Sequence, residues 1–128
     1  MSRVQLALNV SDMDAAVEFY SKLFATEPAK RRPGYANFAI AEPPLKLVLF
    51  ENPTATEKLN HLGIEVESSE KVAAASDRLK QANLKVRSEH QTTCCYALQD
   101  KVWIQDPEGD EWEVYTVLGD SPTFACGG

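Results

Sequence analysis

Two short runs constrain this chain more than anything else in it: Gln5-Leu6-Ala7-Leu8-Asn9-Val10 and His61-Leu62-Gly63-Ile64-Glu65-Val66 alternate in the same phase. A period of two marks a half-buried strand. Leu6, Leu8 and Val10, or Leu62, Ile64 and Val66, then share one face, while Gln5 or His61 points to the other. Each run leads into a helical pattern. In the first copy Ser11 or Asp12 can cap a helix whose Met13, Ala16, Val17, Tyr20 and Phe24 form one apolar stripe. In the second, Ser69 can cap Val72, Ala75, Leu79 and Ala82. Strands follow at 35–40 and 45–50 in the first copy, and at 84–88, 95–98, 101–105 and 111–117 in the second. Gln99-Asp100 reads as a tight hairpin and Asp106-Pro107-Glu108-Gly109 as a turn. The plan is βαβββ twice, an α+β chain with one module at 4–50 and another at 59–118. Together they are expected to form a single domain over 1–118, with a polar linker at 51–58 and a loose tail at 119–128.

Composition narrows the class of partner. With 128 residues, 44% of them hydrophobic, the chain can bury one sizeable core. A net charge of -6 and the absence of any basic run argue against nucleic acid and against an anionic membrane surface. No stretch is long and apolar enough to span a bilayer, and the N-terminus enters a strand pattern without a signal region, so the expected location is cytoplasmic. Small molecules are the expected ligands. Three cysteines, of which Cys94 and Cys95 are neighbours and Cys126 lies near the end, do not make a disulfide framework and read as free thiols in a reducing compartment.

Phe19-Tyr20-Ser21-Lys22-Leu23-Phe24, Asp106-Pro107-Glu108-Gly109 before Trp112-Glu113-Val114-Tyr115, and the doubled βαβββ unit resemble the vicinal oxygen chelate superfamily over nearly the whole chain. The resemblance implies a cupped mixed sheet holding a divalent metal. Carried over residue by residue, Gln5 and His61 take the first-strand ligand position of each module, and Glu113 takes the last-strand position of the second. The fourth position of a four-ligand glyoxalase would fall in Leu45-Lys46-Leu47-Val48-Leu49, which offers no carboxylate, imidazole or thiol. Three ligands with open positions suit a borderline or hard divalent ion, in the manner of non-haem Fe(II) sites that bind dioxygen. Gln5 in place of a second histidine leaves the metal open among iron, nickel, manganese, cobalt and zinc. Taken singly, a strand glutamine is usually solvated and Glu113 could be one of several exposed acids. Their equivalent places in two repeats set them apart.

Adjacent thiols cannot readily bridge each other, but both sulfurs can converge on a larger thiophilic atom such as trivalent arsenic, cadmium or mercury. The competing reading makes one cysteine a small buried hydrophobe. Around Thr92-Thr93-Cys94-Cys95-Tyr96-Ala97, Gln99-Asp100-Lys101-Val102-Trp103 and Asn60-His61-Leu62-Gly63 the chain closely resembles the organoarsenical carbon–arsenic lyases, and also the cadmium-induced proteins. That resemblance implies an Fe(II)- and O2-dependent, dioxygenase-type enzyme that releases arsenite from trivalent methyl or aromatic arsenicals. Gln5, His61 and Glu113 would be the metal ligands and catalytic centre, and Cys94 and Cys95 the arsenic-binding pair. His90, Tyr96 and Lys101 are candidates for handling protons, with a solvated or packed side chain as the alternative for each, and Tyr35, Phe38 and Trp103 for shaping the pocket, with core packing as the alternative. A detoxification protein that sequesters cadmium or arsenic without turnover needs only the thiols. The resemblance allows a homodimer, and with both modules on one chain a monomer could suffice.

Overall fold

The computed structural model describes residues 2–122, so the Cys126 thiol and most of the expected tail lie outside the described residues. The chain divides into two compact units, Arg3–Leu62 and the part from Gly63 on. The first contains β1 (Arg3–Val10), α1 (Met13–Phe24), β2 (Lys30–Arg32), β3 (Tyr35–Ile40) and β4 (Leu45–Glu51). β5 (Leu59–Glu65) starts in the first unit and ends in the second, which continues with α2 (Ser69–Gln81), β6 (Arg87–Cys94), β7 (Ala97–Gln105) and β8 (Glu111–Asp120). The order is βαβββ twice, and the fold is α+β as expected.

In the first unit β1 pairs in parallel with β4, β3 runs antiparallel to β4, and β2 runs antiparallel to β3. The face carrying Leu6, Leu8 and Val10 is the one α1 covers. Leu8, Met13, Val17, Ala36, Phe38, Leu47 and Leu49 form its core, with Ala16, Tyr20 and Phe24 packed alongside. The α1 stripe is therefore the buried face, and Phe38 belongs to this packing. Asp12 caps the helix, its carboxylate accepting from the Ala15 N–H at 3.1 Å. The three-residue β2, absent from the sequence reading, carries three cationic residues and no apolar alternation, the composition of a protected sheet edge.

In the second unit α2 covers Val102 of β7 and Val114 of β8 through Val72 and Ala75. Its cap is Ser68, one residue before the expected Ser69, with the Ser68 hydroxyl accepting from the Lys71 N–H at 3.3 Å. Ser69 is released to donate to the Asp100 carboxylate at 2.5 Å. Ala82, expected in the stripe, is the exposed C-terminal cap, and Ser76 is buried instead.

The strand boundaries of this unit differ from expectation. The strand expected at 84–88 lies at Arg87–Cys94, and Gln99 and Asp100 sit inside β7. Cys94 pairs with Ala97, so Cys95 and Tyr96 make the hairpin turn. Asp100 resembles a turn residue because its carboxylate does turn-like work: it accepts the Gln91 N–H at 2.6 Å, where β6 bulges between Glu89 and Thr92. The turn at 106–109 is as expected, with the Asp106 carboxylate accepting from the N–H groups of Glu108 and Asp110 at 3.0 Å each. Beyond it β8 runs to Asp120, so Gly119 and Asp120, expected in the tail, are strand residues.

Candidate functional site

In the first unit Gln5 lies on the β1 face opposite Leu6 and Leu8 and is 4% exposed. The β4 residue in register with it is Lys46. The Gln5 amide donates through Nε2 to His61 Nε2 at 3.2 Å, and His61 Nδ1 lies 2.8 Å from Asn60 Oδ1. An amide oxygen only accepts, so Nδ1 carries the proton and Nε2 holds the lone pair. The two residues expected as first-strand ligands are thus side by side, with the imidazole in the form that binds metals. Rotation of the Gln5 amide about its terminal bond places Oε1 where Nε2 now stands, which gives a second neutral donor. The pair suits a divalent ion in donor chemistry.

Glu113, the third expected ligand, lies on β8 in the second unit. On its face β7 contributes Lys101 and Trp103, in register with Tyr115 and Glu113 respectively. Lys101 Nζ meets Glu113 Oε1 at 2.7 Å, and the side chains are 1% and 4% exposed. The ammonium also lies 5.1 Å from the centre of the Trp103 ring and 5.8 Å from that of Tyr115. Burial by itself would favour the neutral amine. The Glu113 carboxylate offsets it, with help from the charged forms of Cys94 and Cys95, and the Lys101 pKa is raised above that of an ordinary lysine. The Glu113 carboxylate thus meets the Lys101 ammonium in a dry place, and it has lone pairs for both Lys101 and a metal. Among the described residues no three His, Cys, Asp or Glu side chains cluster as a metal site.

The two cysteines are built into the β6–β7 turn. Cys94 ends β6 and is buried, Cys95 is half-buried, and their sulfurs lie 3.3 Å apart. Cys95 and Tyr96 have φ of 54° and 65°. A two-residue hairpin demands this left-handed conformation and usually takes Asn-Gly for it; in other residues it costs roughly 1–2 kcal/mol each. Two hydrogen bonds hold it. Gln99 Nε2 donates to the Cys94 carbonyl at 2.9 Å, and the Ser121 N–H donates to the Tyr96 carbonyl at 2.9 Å. Lys101, also on β7, joins this turn electrostatically to the Glu113 carboxylate.

The remaining candidates fall in varied places. His90 is an exposed β6 residue at the bulge, and Tyr96 is in the turn. Trp103 donates through Nε1 to Glu89 at 3.0 Å, and the buried Tyr35 hydroxyl accepts from Asn37 at 2.8 Å. Asn60, which fixes the His61 proton, and Gln99, which pins the turn, carry no motif that marks those roles.

A family model, described as the glyoxalase/bleomycin resistance protein/dioxygenase superfamily, matches residues 3–114. The chain belongs to this superfamily. Among its members, a Mycobacterium tuberculosis protein named cadmium-induced protein CadI is 65% identical over 99% of the chain and 84% of its own length. A Thermomonospora curvata protein named trivalent organoarsenical cleaving enzyme is 60% identical over 98% of the chain and 83% of its own length. A solved superfamily structure from Vibrio splendidus shares the fold, with a TM-score of 0.57 and 16% identity, over 92% of this chain and 100% of that one. Among the described residues no helix is long and apolar enough to cross a membrane.

Proposed function

We propose that this superfamily member is a carbon–arsenic lyase, which cleaves trivalent methyl or aromatic arsenicals to arsenite with Fe(II) and O2. The observation that carries the reading is the pair of thiols held 3.3 Å apart on a strained turn. Two sulfurs at this separation can both bind one arsenic atom, leaving the carbon substituent as the third arm of the arsenic pyramid. The name of the Thermomonospora curvata relative points the same way.

Each residue has a task in this scheme. Cys94 and Cys95 fix arsenic, and the buried Lys101 ammonium favours their thiolate forms. Gln5, His61 and Glu113 hold the metal. Bound Fe(II) would supply the centre where dioxygen is taken up and made reactive. The turn limits the directions in which the carbon substituent can point, and fixing both reactants removes part of the entropic barrier. For a methyl substrate the stoichiometry closes without an outside reductant: methylarsenous acid and dioxygen give arsenous acid and formaldehyde, with carbon oxidised and oxygen reduced.

Sequestration of cadmium or arsenic without turnover is the second reading, favoured by the equally similar CadI relative. It requires the thiols alone. The deciding experiment loads the protein anaerobically with Fe(II), admits air with a trivalent methylarsenical and a thiol reductant, and follows arsenite and formaldehyde. Products that depend on iron, oxygen and both thiols are expected, and Cys94→Ser or Cys95→Ser should abolish them. His61→Ala should bind the arsenical and release nothing. Stoichiometric binding by the wild type with no arsenite would assign sequestration instead.

A further inference from the structure

His61 belongs to a chain of side-chain amides whose direction can be read bond by bond. Asn9 Nδ2 donates to the Glu57 backbone carbonyl at 3.1 Å. The Asn9 oxygen is thereby turned toward Asn60, whose Nδ2 donates to Asn9 Oδ1 at 3.0 Å. This turns the Asn60 oxygen to His61 Nδ1 at 2.8 Å, and the far side of the ring accepts from Gln5. An amide can rotate and exchange its oxygen for its nitrogen, but a backbone carbonyl cannot become a donor. Glu57, in the segment between the two modules, therefore sets the sense of every bond up to the imidazole.

The consequence lies in the tautomer. A neutral imidazole in water prefers the proton on Nε2, which would take away the lone pair that faces Gln5. We propose that Asn60, oriented by Asn9, is a positioning residue that keeps His61 protonated on Nδ1 and its Nε2 lone pair available to a metal ion. The tautomer follows from the hydrogen bonds alone; its use in metal binding rests on the reading of His61 as a ligand. Because Asn60 is exposed, water competes with it. A neutral hydrogen bond in that setting should shift the tautomer ratio roughly two- to tenfold. Loss of an outer partner of a histidine ligand typically weakens metal binding about tenfold or more.

The test uses the metal-free protein first. His61 and His90 are the only two histidines, so ring nitrogens are readily assigned by long-range nitrogen–proton NMR. Wild type should show a protonated Nδ1 and a bare Nε2 on His61. Asn60→Ala should move the ratio toward Nε2–H, and Asn9→Leu should do so in part, although it touches no ring atom. Asn60→Asp, which keeps an acceptor, should restore the wild-type tautomer. Co(II) titration followed by absorbance then reads affinity, with Asn60→Ala expected to bind about tenfold more weakly and Asn60→Asp close to wild type. A wild-type His61 protonated on Nε2 would overturn the relay. Unchanged Co(II) affinity in a tautomer-shifted Asn60→Ala would overturn the positioning role. If wild type keeps the Nδ1–H tautomer yet binds no divalent ion, the reading of His61 as a ligand is what has failed.

Discussion

Replacing Lys101 by methionine should destabilise the metal-free protein by about 3–5 kcal/mol, because it leaves the Glu113 carboxylate buried without its countercharge. The side chains are 1% and 4% exposed and meet at 2.7 Å, so water cannot take the place of the lost ammonium unless the strands part. Glu113→Leu should cost less. The stranded ammonium still faces the Trp103 and Tyr115 rings, whose attraction is about 0.5–2 kcal/mol, and a lysine can shed its proton. The double variant Lys101→Met/Glu113→Leu removes both charges and should return to within about 1 kcal/mol of wild type. Urea unfolding of the four proteins completes the cycle. With a slope near 2 kcal/mol/M, the Lys101→Met midpoint should fall by roughly 1.5–2.5 M, a large share of a typical total stability of 5–15 kcal/mol. The raised Lys101 pKa sets the pH window. The ammonium's contribution is fully present below the unfolded lysine value near 10.4 and is lost only as the pH climbs past it through the higher folded value, so neutral buffer tests the whole effect. A Lys101→Met loss below about 1 kcal/mol would refute the argument, since Glu113 would then have to reach water or carry a proton.

Two further outcomes follow from the second unit. Gln99→Leu should lower stability by about 1 kcal/mol, as the Cys94 carbonyl loses its donor, and should weaken capture of a trivalent arsenical by the thiol pair; tighter capture in a titration would show that the Gln99 bond does not hold the turn. The Asp100 carboxyl lies below its ordinary pKa, chiefly through the Ser69 hydroxyl and then the Gln91 N–H, with burial opposing and His90 adding slightly. Its stabilising effect is therefore present above the unfolded value near 3.9 and is lost as the pH falls through the folded value. Urea midpoints of wild type and Asp100→Asn should converge as the pH drops below about 4, and a gap constant with pH would contradict this.

Local pattern was enough to place β1, α1, β3, β4 and β8 to within a few residues. Alternation and helical stripes are properties of neighbours in sequence, and burial of one face depends on little else. The same phase put Gln5 and His61 off the helix-covered face, and the Asp106–Gly109 turn was marked by its own chemistry. What failed was whatever depends on register. Gln99-Asp100 has the composition of a hairpin, yet the turn is at Cys95-Tyr96, where two non-glycine residues hold positive φ while Gln99 and Ser121 bond to the Cys94 and Tyr96 carbonyls. Lys101 is buried because β7 and β8 are in a register that sets it beside Glu113, which nothing in its own segment marks. A bulge between Leu98 and Gln99 shifts the β7–β8 register, and one between Glu89 and Thr92 shifts that of β6 and β7. One extra residue in one strand inverts which face every later side chain meets, a shift that residue preferences along a single strand do not record. Sequence thus determined the modules, the thiol pair and the candidate ligands. Tertiary structure decided which proton His61 carries, which charge stands beside Glu113, and that the two sulfurs face one another.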